Sequence, residues 1–247
     1  MVDESKTLRD RIHAFALHAD AHPRMNFVVL GALFLLLLVQ PVADSIPFGG
    51  MVMKVVFTGI MLLALAAVSN RPALLMVGVV LAAPSTILPL VDRVGPYTVI
   101  TADLASIGLF FFIIVVFLLR ILSHRVVTGS TVAGAVSVYL LMAVTWAAIY
   151  AALETFQPCS FNGLLCDPDA VPGGALARGA QEALLYYSLV TISTLGYGDI
   201  SPATDVARTA AAMEAVVGQL FLVVLVARLV GLISAQKSDD PEGADSP

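Results

Sequence analysis

An all-α membrane protein is the fold class this sequence predicts, with six membrane-crossing helices and a shorter re-entrant helix between the fifth and the sixth. Three observations carry that prediction. Hydrophobic residues make up 59% of the 247 and charged residues 13%, against about 25% charged in soluble domains. Apolar runs near the ~20 residues that cross a bilayer recur six times, at 25–43, 50–69, 72–91, 97–120, 131–153 and 204–233. A further apolar piece, 180–193, is too short to cross, at about 21 Å for a rise of 1.5 Å per residue. It runs straight into a polar, glycine-containing break, "TISTLGYGDI", Thr191 to Ile200. A short helix followed by irregular backbone reads as re-entrant, because lipid leaves bare peptide groups without partners.

Composition also excludes classes. A formal net charge of −5 gives no basic footprint for nucleic acid. Two cysteines, Cys159 and Cys166, are too few for a disulfide scaffold or a cysteine-rich metal site. The first apolar run follows a tail holding Asp3, Glu4, Asp10 and Asp20, which is unlike a cleavable signal peptide. Position 2 is not glycine and no cysteine lies near the C-terminus, so no lipidation motif is present.

Residues 1–24 read as a cytoplasmic amphipathic segment. Leu8, Ile12, Phe15 and Ala19 share a helical face, with Lys6, Arg9 and Asp10 elsewhere on the wheel. It fits either the headgroup layer or a solvated helix packed on the linker after the fourth run. His18 and His22 have i,i+4 spacing but no third ligand, so His13, His18 and His22 read as solvated. Residues 25–121 form a peripheral four-helix bundle, with Pro84 and Pro89 kinking its third member. Residues 97–119 contain no Lys or Arg, Arg120 comes only at the inner end, and Asp103 is the one charge inside. Asp103 fits a structural partner, Thr101 or a neighbouring helix, or else an ion or proton site. Residues 131–233 form the C-terminal membrane unit. Residues 234–247 read as a short acidic disordered tail.

Lys and Arg placement sets the topology. With the N-terminus inside, nine of the 13 basic residues fall inside: Lys6, Arg9, Arg11, Arg24, Arg71, Arg120, Arg125, Arg228 and Lys237. Lys54, Arg93, Arg178 and Arg208 fall outside. This predicts a multi-pass protein of the plasma or bacterial inner membrane, embedded in lipid, with both termini cytoplasmic and the break near the outside.

The break has the composition that a dehydrated monovalent cation needs. Its lost water is best replaced by rings of neutral oxygens, and backbone carbonyls serve if the strand turns them to one axis. Such backbone needs positive φ, which Gly196 and Gly198 accept. A preceding helix aims its partially negative C-terminus at a cation. The run "TxxTxGYGD", with Thr191, Thr194, Gly196, Tyr197, Gly198 and Asp199, resembles the selectivity-filter signature of potassium channels in the P-loop superfamily. The resemblance extends to the aromatic pair Tyr186 and Tyr187, to Pro202 after the filter, and to Gly218 at the inner-helix hinge position, over roughly 131–233.

The resemblance implies a voltage-gated-like pore fold, a six-span prokaryotic-type member, and the role of pore domain for 131–233. Carbonyls of Thr194, Leu195, Gly196 and Tyr197 would coordinate K⁺, with the Thr194 hydroxyl at the cavity side, Gly198 completing the filter and Tyr197 bracing it. Thr191, Tyr186, Tyr187 and Asp199 would support it. Leu195 replaces the usual valine, and its side chain is expected behind the filter. Val190 stands where some members carry a glutamate that pairs with the filter aspartate, so Asp199 needs another partner, with Tyr186 the best placed. One chain supplies one loop and a closed ring needs four, so self-association into a homotetramer is expected.

Leu222, Val226 and Val230 share a face of the last helix that would converge as a gate closing by dewetting; an ordinary packing stripe is the plainer reading. Gln219 fits the cavity wall. Glu214, ionisable within a span, is a functional candidate by default; it fits pore-helix hydroxyls behind the filter or cavity water, and both stay open. The outer segments carry Glu154, Asp167, Asp169, Glu182, Asp199 and Asp205 against Arg178 and Arg208, or −4 per chain, a rim that would gather cations. In an oxidising exterior Cys159 and Cys166 are expected to form a disulfide, with free thiols the alternative. Without an arginine series, the six-span layout is expected to lack conventional voltage sensing.

Other classes are weaker. "GYGD" also matches the GxGD motif of intramembrane aspartyl proteases, with Asp103 as a second acid. That family has its first aspartate in a YD motif and its PAL after GxGD. Here Ala102 precedes Asp103, and PAL falls earlier, at Pro72–Leu74. Potassium-uptake transporter subunits carry four degenerate filter repeats rather than one. A weakly selective cation channel of the same fold would not need intact Tyr197 and Asp199. The sequence therefore predicts a passive K⁺ channel, not an enzyme.

Overall fold

The computed structural model describes residues 24–43, 49–68, 72–88, 96–123, 127–164 and 179–238. Within them lie seven helices: α1 Arg24–Ala43, α2 Gly49–Val68, α3 Pro72–Ile87, α4 Pro96–Ser123, α5 Gly129–Phe156, α6 Ala180–Ile192 and α7 Asp205–Ser238. Two short strands, β1 Phe161–Asn162 and β2 Ser201–Pro202, pair antiparallel, Phe161 opposite Pro202 and Asn162 opposite Ser201.

Each of the six apolar runs forms a helix. Among the described residues three helices are long and apolar enough to cross a membrane: Thr98–Leu122, Gly129–Phe156 and Asp205–Leu232. Asn26–Gln40 and Pro72–Ile87 are shorter apolar helices. The third run was expected to reach residue 91; α3 spans Pro72–Ile87, with Pro84 in its last turn, and residues 89–91 lie outside the described residues. Proline removes the bond that its N–H would make to the Val80 carbonyl one turn back, which weakens the last part of the helix. Its local polar groups turn inward on the helix: Ser85 and Thr86 hydroxyls both donate to the Ala82 carbonyl at 2.8 Å. Pro89 lies outside the described residues, as do the segment 1–23 and its three histidines. At the other end, residues 234–238 of the expected disordered tail are helical. Helix α7 continues through Ala235, Gln236 and Lys237 to Ser238, residues of ordinary to good helix propensity.

Helix α5 is the hub, packing against α1, α4, α6 and α7. Its start is set by a capping box: Thr128 Oγ1 accepts from the Thr131 N–H at 3.3 Å, and Thr131 Oγ1 accepts from the Thr128 N–H at 3.4 Å. Such caps contribute about 1 kcal/mol. Asn26 on α1 donates to the Ser130 carbonyl at 2.9 Å and lies 3.1 Å from its hydroxyl, fastening the two helix starts together. Leu33, Met61, Leu65, Leu109, Ile113, Phe117, Val138 and Leu141 fill the main core between the peripheral helices and α5. A second core of Tyr150, Phe161, Leu184, Tyr187, Ala207 and Ala211 joins α5, β1, α6 and α7.

Helix α7 is distinct. Of its most apolar stretch 6% is buried by its own chain, against 61% for α5. Met213, Val216, Leu220, Val223, Val226 and Val230 are all exposed.

Candidate functional site

The segment after α6 is built from the helix end outward. Four successive amides fold back on the last turn of α6. Ser193 N–H donates to Leu189 O at 3.2 Å, Thr194 N–H to Thr191 O at 2.9 Å, and the N–H groups of Leu195 and Gly196 both donate to Val190 O, at 2.9 and 3.2 Å. The carbonyls left open at the helix end are thereby satisfied. Thr194, Gly196 and Gly198 have φ of 59°, 59° and 78°, while Leu195 and Tyr197 do not have positive φ. An ordinary strand points successive carbonyls to opposite sides. Changing hand at every second residue brings them round to one side, and glycine does this freely. Thr194 does it without glycine's freedom, at about 1–2 kcal/mol, strain of the kind that gathers at functional segments. Among the described residues, no hydrogen bond ends on the carbonyl of Thr194, Leu195, Gly196 or Tyr197. Leu195 is 55% exposed and Tyr197 68% exposed, so neither side chain is covered by its own chain.

Outside the strand, the Tyr186 hydroxyl donates to Asp199 Oδ2 at 2.8 Å, and Asp199 Oδ1 accepts from the Ile200 N–H at 3.0 Å. Val190 is buried and leaves Asp199 to these partners. The preceding loop closes against the same place through the β1–β2 pair and the Ala203 N–H bond to Ser160 O at 2.8 Å. At Gly163 an added Cβ would lie 2.3 Å from the Asp199 carbonyl, so this approach admits no side chain.

Glu154 corrects the expected acidic rim. Its side chain is buried and caps the turn after α5, accepting from the Cys159 N–H at 2.7 Å and the Ser160 N–H at 2.9 Å. Asp205 is exposed and pairs with Arg208 at 3.6 Å, a bond of small energy in water. Glu182 is half-buried. Asp167, Asp169 and Arg178 lie outside the described residues. Cys159 is disulfide-bonded; Cys166 lies outside the described residues.

Behind the strand, Tyr186 and Tyr187 part company. Tyr187 is buried in an edge-to-face triad with Tyr150 and Phe161, with ring centroids 5.2–5.3 Å apart, a favourable aromatic geometry. Glu214 on α7 is fully buried and faces hydroxyls rather than cavity water. The Tyr150 hydroxyl donates to its Oε2 at 2.5 Å, its Oε1 is hydrogen-bonded to Ser188 Oγ, and Ser188 Oγ also lies 2.7 Å from the Ala143 carbonyl. One turn further along both helices, a Cβ on Gly218 would fall 2.6 Å from Ile192 Cγ1 and 3.1 Å from Ile192 O. Helix α7 runs unbroken through Gly218, and the missing side chain has a packing reason. The Ile192 carbonyl also accepts from the Tyr139 hydroxyl at 2.8 Å, and the Tyr139 ring stacks on Phe221 with centroids 6.1 Å apart.

The sequence reading did not single out Tyr139, Tyr150, Phe161 or Ser188. The available signal was polar side chains within apolar helices, which require partners. Which partner each takes depends on how α5, α6 and α7 cross. Thr191 is half-buried, Gln219 is exposed, and of the gate stripe Val226 and Val230 are exposed and Leu222 half-buried. Asp103 lines a cavity of about 140 Å³ between the peripheral helices, α5 and the start of α6, together with Gln40, Ser85, Gln181 and Glu182; Asp199 is not part of it. Thr101 donates to Thr98 O at 3.0 Å within its own helix.

Comparison with curated proteins and with solved structures returns no match for this chain. Residues 181–235, which hold nearly all of α6, the segment after it and nearly all of α7, match the family model described as "Ion channel", so the site lies in a segment similar to ion channels, which supports an ion channel function in a membrane.

Proposed function

We propose that the protein is a potassium-selective channel that conducts K⁺ passively through a filter of backbone carbonyls in a homotetramer. The observation that carries this reading is the alternation of left-handed φ at Thr194, Gly196 and Gly198. With the amides of 194–196 folded onto α6, that backbone frees a row of neutral oxygens for a dehydrated cation. K⁺ is the transported ion, held in passing by the carbonyls of Thr194, Leu195, Gly196 and Tyr197, with the Thr194 hydroxyl at the inner end. Short helix α6 acts as the re-entrant pore helix.

One loop per chain calls for four chains around the ion path. The uncovered apolar face of α7 and the exposed Leu195 and Tyr197 are surfaces that neighbouring copies would cover. On α7, Gln219 would face the cavity, and Leu222, Val226 and Val230 would converge as the gate. Helix α4 has Arg120 as its only basic residue, in its last turn, so the field finds no charge series to move, and gating is expected to lack steep voltage dependence. A measured gating charge of several units per tetramer would overturn that part.

The test of the whole reading is flux from purified protein in liposomes. Outward gradients of K⁺ should drive rapid release that Ba²⁺ blocks, and Na⁺ gradients should not. Equal K⁺ and Na⁺ flux would overturn the selectivity reading; no flux of either would overturn the channel reading.

A further inference from the structure

Glu214 has no part in the ion path described above, yet it is fully buried and sits where three helices meet. Its partners are all neutral: Tyr150 from α5 and Ser188 from α6, with the Ala143 carbonyl of α5 on the far side of Ser188. Among the described residues no Lys or Arg pairs with it; the ion pair on the same helix is Asp205 with Arg208, near the exposed end.

The hydrogens in this cluster can be counted. There are three oxygen–oxygen contacts: Tyr150 Oη to Glu214 Oε2, Ser188 Oγ to Glu214 Oε1, and Ser188 Oγ to Ala143 O. The two hydroxyls supply one hydrogen each. A carbonyl supplies none. If Ser188 gives its hydrogen to Ala143, its contact with Glu214 needs a hydrogen from Glu214. If Ser188 gives it to Glu214, the contact with Ala143 is empty. A neutral carboxylic acid fills all three: Glu214 Oε1–H donates to Ser188 Oγ, Ser188 Oγ–H donates to Ala143 O, and Tyr150 Oη–H donates to Glu214 Oε2. An ionised carboxylate would leave one contact unfilled and bury a charge among neutral groups, which is strongly unfavourable.

The chain of bonds crosses α7, α6 and α5 at one level. One turn on, Gly218 packs against Ile192 and Tyr139 holds the Ile192 carbonyl. Ser188 and Ile192 are spaced i,i+4, as are Glu214 and Gly218, so two consecutive turns of α7 meet two consecutive turns of α6. The turn of α6 held in this way carries Val190 O, the acceptor for the Leu195 and Gly196 amides.

We propose that Glu214 is a protonated hydrogen-bond hub that joins α5, α6 and α7 and positions the backbone of the selectivity filter. This inference rests on the channel reading above. Glu214 is a positioning residue, since it acts through Ser188 and α6 and not on the ion. Glutamine at 214 has the shape of the neutral acid, with an amide N–H₂ for Ser188 and a carbonyl for Tyr150. Alanine has neither.

The test uses the full chain in liposomes, as wild type, Glu214→Gln and Glu214→Ala, with K⁺ flux and infrared spectra at neutral pH. The wild-type minus Glu214→Gln spectrum should contain the carbonyl stretch of a protonated carboxyl. Flux should stay within about twofold of wild type in Glu214→Gln and fall about tenfold in Glu214→Ala, as expected when buried partners lose their hydrogen bonds. If Glu214→Ala does not assemble, the spectrum and the Glu214→Gln flux decide. A difference spectrum with only an ionised-carboxylate band overturns the protonated hub. Wild-type flux from Glu214→Ala, or a tenfold loss in Glu214→Gln, overturns the positioning role. Wild-type protein without K⁺ flux would instead overturn the channel reading, and the infrared band would still report the state of Glu214.

Discussion

In α3 and α4 the hydroxyls of Ser85, Thr86 and Ser106 bond back to carbonyls of their own helices. In α5–α7 hydroxyls such as those of Ser137, Thr145 and Thr155 also bond back, but Tyr139, Tyr150, Tyr186 and Ser188 reach across from one element to the next. Lipid tails are as apolar as leucine, so burial alone does not choose one helix crossing over another. A directional bond does, because it is satisfied at one distance and one angle. Among the described residues, the peripheral helices are held largely by shape, with Asn26 fastening α1 to the start of α5, and α5–α7 by shape plus several cross-element bonds. The difference teaches where positional accuracy is concentrated: around the segment of alternating φ at 194–198.

Substitutions can break that contrast. The largest effect is expected at Gly196, where φ is 59°. Gly196→Ala should abolish K⁺ flux while gel filtration still shows the oligomer; unchanged flux would remove the filter assignment. Gly218→Ala comes next, since its Cβ would meet Ile192 at 2.6 Å. Overpacking of this kind costs about 1–3 kcal/mol, read as lowered thermal stability of the detergent-solubilised oligomer. Gly218→Ala should cost less in an Ile192→Ala background than in the wild type, because Cγ1, the nearest atom, is then gone; an equal cost in both backgrounds would show that the contact is not the cause.

Tyr139→Phe removes the bond to the Ile192 carbonyl and should cost about 1 kcal/mol, with a measurable drop in flux. The smallest effect belongs to the peripheral half. Ser106→Ala loses only a bond to Ala102 O in its own helix, and such back-bonding gives a helix little or nothing. Stability should change by less than about 0.5 kcal/mol and flux should not change. If Ser106→Ala matched Tyr139→Phe, the contrast between the halves would fail.

Much of this was legible before any coordinates. Hydropathy located every helix among the described residues, since a long apolar run has few other fates. The motif located the segment of alternating φ, since its glycines mark two of the three left-handed positions and Thr194 is the third. Two kinds of feature were not legible. Helix ends depended on local detail: α7 runs on through residues 234–237 to Ser238. Partnerships depended on crossings. Glu154 looked like one more acid of an outer rim and is a buried cap on the Cys159 and Ser160 amides. Glu214 was visible as a buried acid, but Tyr150 and Ser188 lie 64 and 26 residues away in sequence, and no spacing rule joins residues on different helices.

The most direct test of the central claim is the reversal potential of the purified, full-length protein in a planar bilayer with K⁺ on one side and an equal concentration of Na⁺ on the other. A filter of dehydrating carbonyls predicts a large shift, with current carried from the K⁺ side and the Na⁺ side left negligible. A reversal at zero volts, with current flowing equally from both sides, would contradict it.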